Sequence, residues 1–331
     1  MSGRVLPTDQ IQITQNAHQI NVILRNSEPI TAPTSEPQFH GKPLSQQGHF
    51  GEIMKELDRM VGLESIKELV FEIYALLRVA SYRADAGLTA NSQVYHMVFK
   101  GNPGTGKTTV ARIIAKLLQT MGVLSKGHLI EVERADMVGE YIGHTALKTR
   151  EMVKKALGGV LFIDEAYSLA RGGEKDFGKE AIDTLVKAME DHKNHFILIL
   201  AGYSEEMDQF LQTNPGLPSR FPIHLEFPDY TVEQLMQITE MMIKEREYVL
   251  NAQAESKIRQ QIISEKQQND SEASFSNARF VRNLIEKAMR NHAVRLLNSH
   301  VQQPSKQDLM TLRAEDVKLE RKQSKETHKY L

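Results

Sequence analysis

The sequence predicts an α/β fold: a five-stranded parallel sheet with helices on both faces, followed by a small all-α part. Two observations predict it. Between residues 94 and 227, short apolar segments alternate with amphipathic helical segments, which is typical of parallel strands buried on both faces. After Pro228 the helical periodicity continues without further apolar segments. The length of 331 residues suits about two domains.

Each predicted element rests on its hydrophobic period. The apolar segments predict strands at 94–99, 129–132, 160–163, 196–201 and 223–227. The amphipathic segments predict helices at 50–86 (interrupted by Val61-Gly62), 108–120, 146–157, 179–191 and 205–212. The later part predicts helices at 231–248, 254–266 and 278–300, with no strand between them.

These elements divide the chain into four regions. Residues 1–48 form an N-terminal extension with weak strand patterns and a linker punctuated by four prolines between residues 29 and 43. Residues 49–228 form the α/β domain, and residues 229–301 form a helical lid domain. Residues 302–331 are predicted to be a charged tail, frayed toward its end.

Composition excludes several classes of protein. The absence of cysteine excludes disulfides, thiolate metal sites and thiol nucleophiles, and it is consistent with the cytoplasm. The formal charge of −1 argues against a protein whose main task is binding a nucleic acid backbone. No apolar run is long enough to span a membrane, and the N-terminus does not have the pattern of a secretion signal.

Residues 101–108 satisfy the phosphate-loop pattern G-x-x-x-x-G-K-[ST], and they lie between a predicted strand and a predicted helix, as that loop requires. Gly104 and Gly106 allow the backbone amides to point inward, and the helix N-terminus favours an anion. Lys107 is expected to reach the β- and γ-phosphates of ATP, and Thr108 to bind Mg²⁺. The predicted nucleotide contacts here are Asn102, Pro103, Gly104, Thr105, Gly106, Lys107, Thr108 and Thr109.

The apolar strand at 160–163 ends in two carboxylates, Asp164 and Glu165. Ligands of open α/β sheets bind at the carboxyl ends of the strands, so this pair is expected beside the phosphate loop. Asp164 is predicted to hold the Mg²⁺ shell, and Glu165 to polarise a water molecule against the γ-phosphate. A base of this kind favours hydrolysis over transfer to a substrate. Two solvated carboxylates in a turn are the alternative.

The runs GNPGTGKT, VLFIDEAYSL and NPGLPSRFPIHLEFPDY together resemble the AAA+ ATPases over about residues 50 to 300. More narrowly, they resemble the clade of the red-type Rubisco activases and the sporulation ATPases. The N-terminal extension and the absence of another recognisable domain favour the sporulation branch. The resemblance implies a homo-oligomeric ring, usually a hexamer, with nucleotide at the boundaries between subunits.

The resemblance also implies roles for residues outside the two motifs. Val61 and Gly62 match the segment that lines the adenine pocket, although a simple turn between helices explains them equally. Arg220 matches the arginine finger that reaches a neighbouring subunit's γ-phosphate. Arg279 matches the second sensor of the lid, and Arg282 competes with it for that role.

The first sensor departs from the family pattern. The superfamily commonly places an asparagine or threonine at the end of the fourth strand, whereas this chain continues with Gly202, Tyr203 and Ser204. Tyr203 occupies the expected place, and its phenol can donate one hydrogen bond. Whether Tyr203, Ser204 or neither is the sensor stays open.

The triplet Tyr141-Ile142-Gly143 resembles the aromatic-hydrophobic-glycine pore loop of AAA+ rings that thread polypeptides. An exposed aromatic ring can press on an extended chain with little dependence on its sequence. A core tyrosine at a helix start is the alternative. The segment 171–178 is a second candidate for a mobile loop.

The expected function is therefore that of an ATP-dependent protein-remodelling motor, acting on an unidentified client in spore formation. A nucleotide-switched scaffold, in which residues 1–48 bind a partner, is one alternative. A nucleic-acid motor is another, which the near-neutral charge disfavours. Membrane association is not expected.

Overall fold

The computed structural model describes residues 14–16, 19–21, 46–89, 93–141, 143–172, 176–193, 195–269, 275–299 and 303–318. The chain divides into two compact units, Met1–Pro43 and Leu44–Leu331. In the first unit, strands β1 (Thr14–Asn16) and β2 (Gln19–Asn21) form an antiparallel pair with Thr14 opposite Asn21. The apolar alternation expected in the extension falls partly on this pair and otherwise lies outside the described residues.

The second unit begins with helices and alternates from there. Its first half contains α1 (Gln46–Asp58), α2 (Glu64–Asp85), β3 (Met97–Gly101), α3 (Lys107–Thr120), β4 (Leu129–Val132), α4 (Arg134–Met137), α5 (His144–Ala156) and β5 (Val160–Ile163). A 3₁₀ helix (Ala166–Ala170) is followed by α6 (Gly178–Asp191), β6 (Ile197–Gly202), α7 (Ser204–Gln212), α8 (Leu217–Arg220) and β7 (Ile223–Phe227).

The remainder of this unit is mainly helical. It contains α9 (Val232–Glu245), β8 (Val249–Leu250), α10 (Ala252–Asn269), α11 (Asn277–Asn298), α12 (Lys306–Met310) and β9 (Thr311–Leu312). Within the described ranges, no helix has the length and apolar character needed to cross a membrane.

The five strands β4, β5, β6, β3 and β7 form one parallel sheet in that spatial order. Strand β3 pairs with β6 on one side and β7 on the other, so that Phe99 lies between Ala201 and Leu225. The predicted fold class is therefore confirmed. Because all five strands are parallel, their carboxyl ends lie along one edge of the sheet.

The sheet separates two apolar clusters, because alternate residues of a strand point to opposite faces. Met97 and Phe99 lie in one cluster with α3, whereas Val98 lies in the other with the helices α5, α6 and α7. The cluster around Phe99 also includes Leu235 of α9 and Ile285 of α11. The lid helices therefore share a core with the phosphate-loop face of the sheet.

Several boundaries differ from those predicted. Strand β3 begins at Met97 rather than at residue 94, because the ladder with β7 starts where Met97 meets Ile223. Helix α1 begins at Gln46, inside the region assigned to the linker. The part after Pro228 is not free of strands, since Val249 and Leu250 pair in parallel with Thr311 and Leu312.

The segment 303–318 is packed, although the sequence analysis assigned it to a charged tail. Leu312 and Val317 are fully buried in the lid core. Asp316 is 1% exposed and accepts two hydrogen bonds from Arg295 of α11, at 2.8 and 2.9 Å. The Asp308 carboxylate of α12 accepts a hydrogen bond from the Arg313 guanidinium at 3.3 Å. Asp308, Arg313 and Asp316 thus pair within this segment or with α11. The expected fraying after residue 320 lies outside the described residues.

Candidate active site

A cleft of about 540 Å³ lies at the carboxyl edge of the sheet, where β3, β5 and β6 end. It brings together parts of the chain that are far apart in sequence. Its lining from the α/β part is Met60, Val61, Gly101, Pro103, Gly104, Gly106, Lys107, Thr108, Thr109, Asp164, Glu165, Tyr167, Gly202 and Tyr203. Its lining from the lid is Tyr230, Ile238, Met241, Met242, Glu245, Ala278, Arg279 and Arg282.

The phosphate loop turns through two glycines with left-handed backbone angles, Gly104 at φ 72° and Gly106 at φ 101°. A Cβ atom on Gly104 would lie 2.4 Å from the carbonyl oxygen of Ser276, so only glycine fits between the loop and the lid. Helix α3 begins at Lys107, directly after the loop. Its free N-terminal amides therefore face the cleft, which suits a phosphate group.

The Lys107 side chain bonds to the backbone of the phosphate loop. Its Nζ donates hydrogen bonds to the carbonyl oxygens of Gly101, at 2.7 Å, and Asn102, at 2.9 Å. Burial lowers the pKa of Lys107, and the nearby Asp164 carboxylate opposes that shift. An anion bound in the cleft would stabilise the charged form of an ammonium group that is desolvated in this way.

Asp164 and Glu165 follow β5 and line the same cleft as Lys107. Glu165 has a left-handed backbone conformation, at φ 47°, which is uncommon for a residue with a side chain. Its amide nitrogen donates to the Asp164 carboxylate at 3.0 Å. The local geometry therefore places two adjacent carboxylates opposite the phosphate loop.

The side chains at this edge suit a magnesium ion bound together with phosphates. Mg²⁺ is usually held by one or two protein oxygens plus substrate phosphates, rather than by a complete protein cage. The Thr108 hydroxyl and the Asp164 carboxylate line one cleft and supply oxygens of this type. Across the described ranges there is no cluster of three or more histidine or carboxylate side chains that could hold a metal alone.

Not every predicted nucleotide contact faces the cleft. Val61 lines it, but Gly62 lies against the lid instead, where an added Cβ would be 2.6 Å from Gln234. The side chain of Thr105 is fully buried and donates to the Asn102 carbonyl oxygen at 2.8 Å. Asn102 points its amide at Asp229, at 3.0 Å. The side chains of Asn102 and Thr105 therefore bond within the protein and do not line the cleft.

Two lid arginines reach the cleft. Arg279 and Arg282 both line it, so the geometry does not choose between them as second sensor. The backbone of Arg279 adjoins the phosphate loop, since a Cβ on Gly104 would lie 2.8 Å from the backbone nitrogen of Arg279. Arg279 also lines a neighbouring cleft with Asp164 and Glu165.

Tyr203 follows β6 and lines the main cleft. Its ring lies 5.9 Å from that of Tyr167, and burial raises the pKa of Tyr167 to about 12, so that phenol stays protonated. The cleft is therefore lined by two phenols, Tyr203 after β6 and Tyr167 in the 3₁₀ helix after β5. Ser204 is the first residue of α7 and is absent from the cleft lining.

Arg220 lies elsewhere in the chain. It lines a different cavity, with Tyr95, His96 and Glu190, which shares no described lining residue with the cleft around Lys107. The guanidinium donates to the Gly216 carbonyl oxygen at 2.8 Å and pairs with Glu190. Within one chain, Arg220 and the phosphate loop are thus not brought together.

Tyr141 is 65% exposed and lies before α5, with its ring 5.4 Å from that of His144. A core position for this tyrosine is therefore wrong. Gly143 caps α5 with φ 82°. Ile142 lies outside the described residues, as do residues 173–175 of the second candidate loop.

Sequence reasoning missed a buried polar group behind the phosphate loop. Asn277, fully buried, contacts Asp229 and Tyr230, and Tyr230 in turn donates from its hydroxyl to the Thr105 carbonyl oxygen at 3.0 Å. The available signal was an asparagine directly before a predicted helix, because asparagine tolerates the left-handed conformation that Asn277 adopts at φ 44°.

Comparison with known families identifies two matching regions. Residues 97–229 match the ATPase family associated with various cellular activities (AAA). Residues 231–327 match the AAA lid domain, a span that includes the packed segment after α11.

Similar proteins cover nearly the whole chain. The stage V sporulation protein K of Bacillus subtilis is 56% identical over 94% of this chain and 97% of its own length. The chloroplastic ribulose bisphosphate carboxylase/oxygenase activase of Cyanidioschyzon merolae is 43% identical over 87% of this chain and 98% of its own. The structure of the Thermotoga maritima RuvB Holliday junction branch migration motor superposes with a TM-score of 0.51 at 22% identity, over 79% of this chain and 69% of that one.

Proposed function

The chain belongs to the AAA+ ATPases, and from that membership we propose that it is a protein-remodelling motor. ATP hydrolysis is the activity of the family. In this proposal, Mg-ATP is hydrolysed at the boundaries between subunits of a homo-oligomeric ring, a hexamer, and the cycle drives loops carrying Tyr141 along a client protein.

The observation that carries the proposal is the position of the tyrosine loop relative to the acidic pair. Glu140 lines one cleft together with Asp164 and Glu165, and the next residue, Tyr141, exposes 65% of its surface. A backbone movement beside Glu165 during hydrolysis could therefore displace Glu140 and, with it, the adjacent exposed ring of Tyr141. An exposed aromatic ring can press on an extended chain with little dependence on its sequence, because burial of ring area is non-directional.

The catalytic assignments follow the cleft. Lys107 and the loop amides would hold the phosphates, while Thr108 and Asp164 would hold Mg²⁺. Glu165 orients the attacking water. The metal would supply charge neutralisation on the β- and γ-phosphates. Arg279 contacts the nucleotide from the lid of the same chain, and Tyr203 lies at the sensor position.

The separation of Arg220 from the cleft supports a site shared between two subunits. An arginine that stabilises the transition state must approach the γ-phosphate, and Arg220 lines a separate cavity of its own chain. A neighbouring subunit can bring it to the cleft.

The names of two relatives favour a protein client. One relative is named an activase of an enzyme, and another is named a sporulation protein. We extend both to this chain as a proposal, namely action on a protein during spore formation. RuvB, named a Holliday junction branch migration motor, shares the fold at 22% identity and carries no argument about the substrate.

The test compares Tyr141→Ala with Tyr141→Phe, which keeps the ring. Casein, an unfolded protein, serves as the probe, and phosphate release is measured with and without it. Casein should stimulate the native chain and Tyr141→Phe, whereas Tyr141→Ala should retain its basal rate and lose the stimulation.

Other outcomes would overturn the proposal. Stimulation by single-stranded DNA and not by casein would indicate a nucleic-acid motor. A rate that responds to neither, together with loss of partner binding after deletion of residues 1–48, would indicate a nucleotide-switched scaffold. Equal stimulation of Tyr141→Ala and the native chain would remove the assigned role of this loop.

A further inference from the structure

Asn277 is a buried amide at the centre of a hydrogen-bond network behind the phosphate loop. Its Nδ2 donates to the Asp229 carboxylate at 2.7 Å and to the Phe275 carbonyl oxygen at 2.9 Å. Its Oδ1 accepts from the Tyr230 amide at 2.9 Å. The residue has no exposed surface. A buried amide with this many partners fixes the start of α11 relative to the chain that follows β7.

Asp229 extends the network to the phosphate loop. Both of its carboxylate oxygens accept from the Asn102 side chain at 3.0 Å, while one accepts from Asn277. We name these three residues, Asn102, Asp229 and Asn277, the loop–lid bridge. One carboxylate thus ties the loop and the lid to each other through charge-assisted hydrogen bonds, the stronger kind.

The backbone next to Asn277 touches the loop as well. The Ala278 amide donates to the Gly104 carbonyl oxygen at 3.2 Å. A Cβ on Gly104 would lie 3.2 Å from the Cβ of Arg279. Since Arg279 is two residues beyond Asn277 in the same helix, the bridge helps to set the position of the Arg279 backbone relative to the phosphate loop.

We propose that Asn277 is a positioning residue for ATP hydrolysis: through Asp229 it holds the first turn of α11 against the phosphate loop, and it thereby sets the place of Arg279 in the cleft. The proposal rests on the role assigned to Arg279 under the proposed function. Asn277 itself touches no nucleotide. Its effect on the rate comes through Arg279.

Asn277→Gly is the informative variant, because glycine keeps the left-handed backbone at this position and removes only the amide. We expect kcat to fall about tenfold, which corresponds to about 1.4 kcal/mol of activation free energy. We expect KM for ATP to change by less than about threefold, since the loop amides and Lys107 remain in place. Asn291→Ala is the matched control. This asparagine lies in the same helix and donates to the Asp316 carbonyl oxygen at 2.7 Å, so its loss should leave kcat unchanged.

A double-mutant cycle with Arg279→Ala separates positioning from general destabilisation. If Asn277 acts through Arg279, adding Asn277→Gly to Arg279→Ala should cause no further fall in kcat. Additive effects would overturn the inference and leave the role of Arg279 intact. An Arg279→Ala chain with the native kcat would overturn the assigned role of Arg279 and the inference with it.

Asp229→Asn is the second variant, for the case that Asn277→Gly does not fold. It keeps the size of the side chain but removes the charge that attracts both amides. It should lower kcat in the same direction as Asn277→Gly, and again only when Arg279 is present. A native kcat in a folded Asp229→Asn chain would contradict the bridge.

Discussion

Arg220 pairs with Glu190 in a cavity that is separate from the cleft of Lys107. The Arg220 side chain is 28% exposed, and the Glu190 side chain is 59% exposed. A pair this open to solvent contributes little to folding stability, on the order of 0–1 kcal/mol. The guanidinium can therefore leave Glu190 at small cost when a phosphate on a neighbouring subunit attracts it.

The first prediction is complementation between two inactive chains. Lys107→Ala removes the phosphate contact but keeps Arg220, whereas Arg220→Ala keeps the cleft and lacks the finger, which is worth about 10³-fold or more in kcat. Neither chain alone should hydrolyse ATP at a significant rate. Mixed subunits should recover activity, because Arg220 of a Lys107→Ala subunit completes the cleft of its neighbour. Phosphate release measured across mixing ratios provides the check.

The control is a mixture of Arg220→Ala with the double variant Lys107→Ala, Arg220→Ala. This mixture contains the same cleft but no finger, and it should stay inactive. Equal rates for the two mixtures, or no recovery in either, would contradict a finger that acts between subunits.

The second prediction concerns the acidic pair. Glu165→Gln should keep ATP binding and lower kcat by about 10²–10⁴-fold, the usual contribution of a positioned base. Asp164→Asn should instead raise the Mg²⁺ concentration needed for half-maximal activity. Titrations of ATP and of Mg²⁺ at constant ATP distinguish the two variants. If both variants altered only the magnesium requirement, Glu165 would not be the base.

The phosphate loop and the acidic pair were predictable because each is a short run of neighbouring residues whose pattern carries its own geometry. The loop–lid bridge was not. It joins residues 127 positions apart (Asn102 and Asp229) and 48 apart (Asn277 and Asp229), and its members are ordinary polar residues in sequence. Only the fold brings them together.

The packing of the C-terminal segment was misjudged for a similar reason. Between residues 303 and 318, charged and polar side chains outnumber the apolar ones. The two fully buried residues, Leu312 and Val317, show no helical or strand period of their own. Their burial depends on α11, and on the ion pair of Arg295 with Asp316, whose partners are 21 residues apart.

The third prediction concerns Arg134 and Asp176. Arg134 donates to both Asp176 oxygens, at 2.5 and 2.7 Å, and to the Ser168 carbonyl oxygen at 2.6 Å. Burial raises the pKa of Asp176, but hydrogen bonds from Arg134 and the Gly178 amide outweigh it and hold the pKa below its ordinary value. Asp176→Asn should lower the free energy of unfolding at pH 7 by about 1–3 kcal/mol.

The stabilisation by Asp176 should decrease at acidic pH. Because the folded pKa of Asp176 is below the unfolded one, the stabilisation is present above about pH 4 and is lost as the pH falls further. Urea unfolding of the native chain and of Asp176→Asn should therefore converge toward low pH. Glu131→Gln is the control, since its pair with Arg112 is exposed and should contribute almost nothing. A difference that stays constant down to low pH would contradict the assignment.

The last prediction concerns His96, which is 2% exposed and lies just before β3. Its Nδ1 accepts from the Leu198 amide at 3.0 Å, and its Nε2 has no hydrogen-bond partner among the described residues. Burial lowers the pKa of His96 to about 4. In the unfolded chain this histidine binds a proton near pH 6.5. The free energy of unfolding should therefore decrease as the pH is lowered from about 6.5 to about 4, by up to about 1.4 kcal/mol per pH unit. His96→Asn keeps an acceptor for Leu198 and should flatten this slope in urea unfolding, whereas the same change at the exposed His224 should leave it unaltered. A slope that persists in His96→Asn would assign the proton to another group.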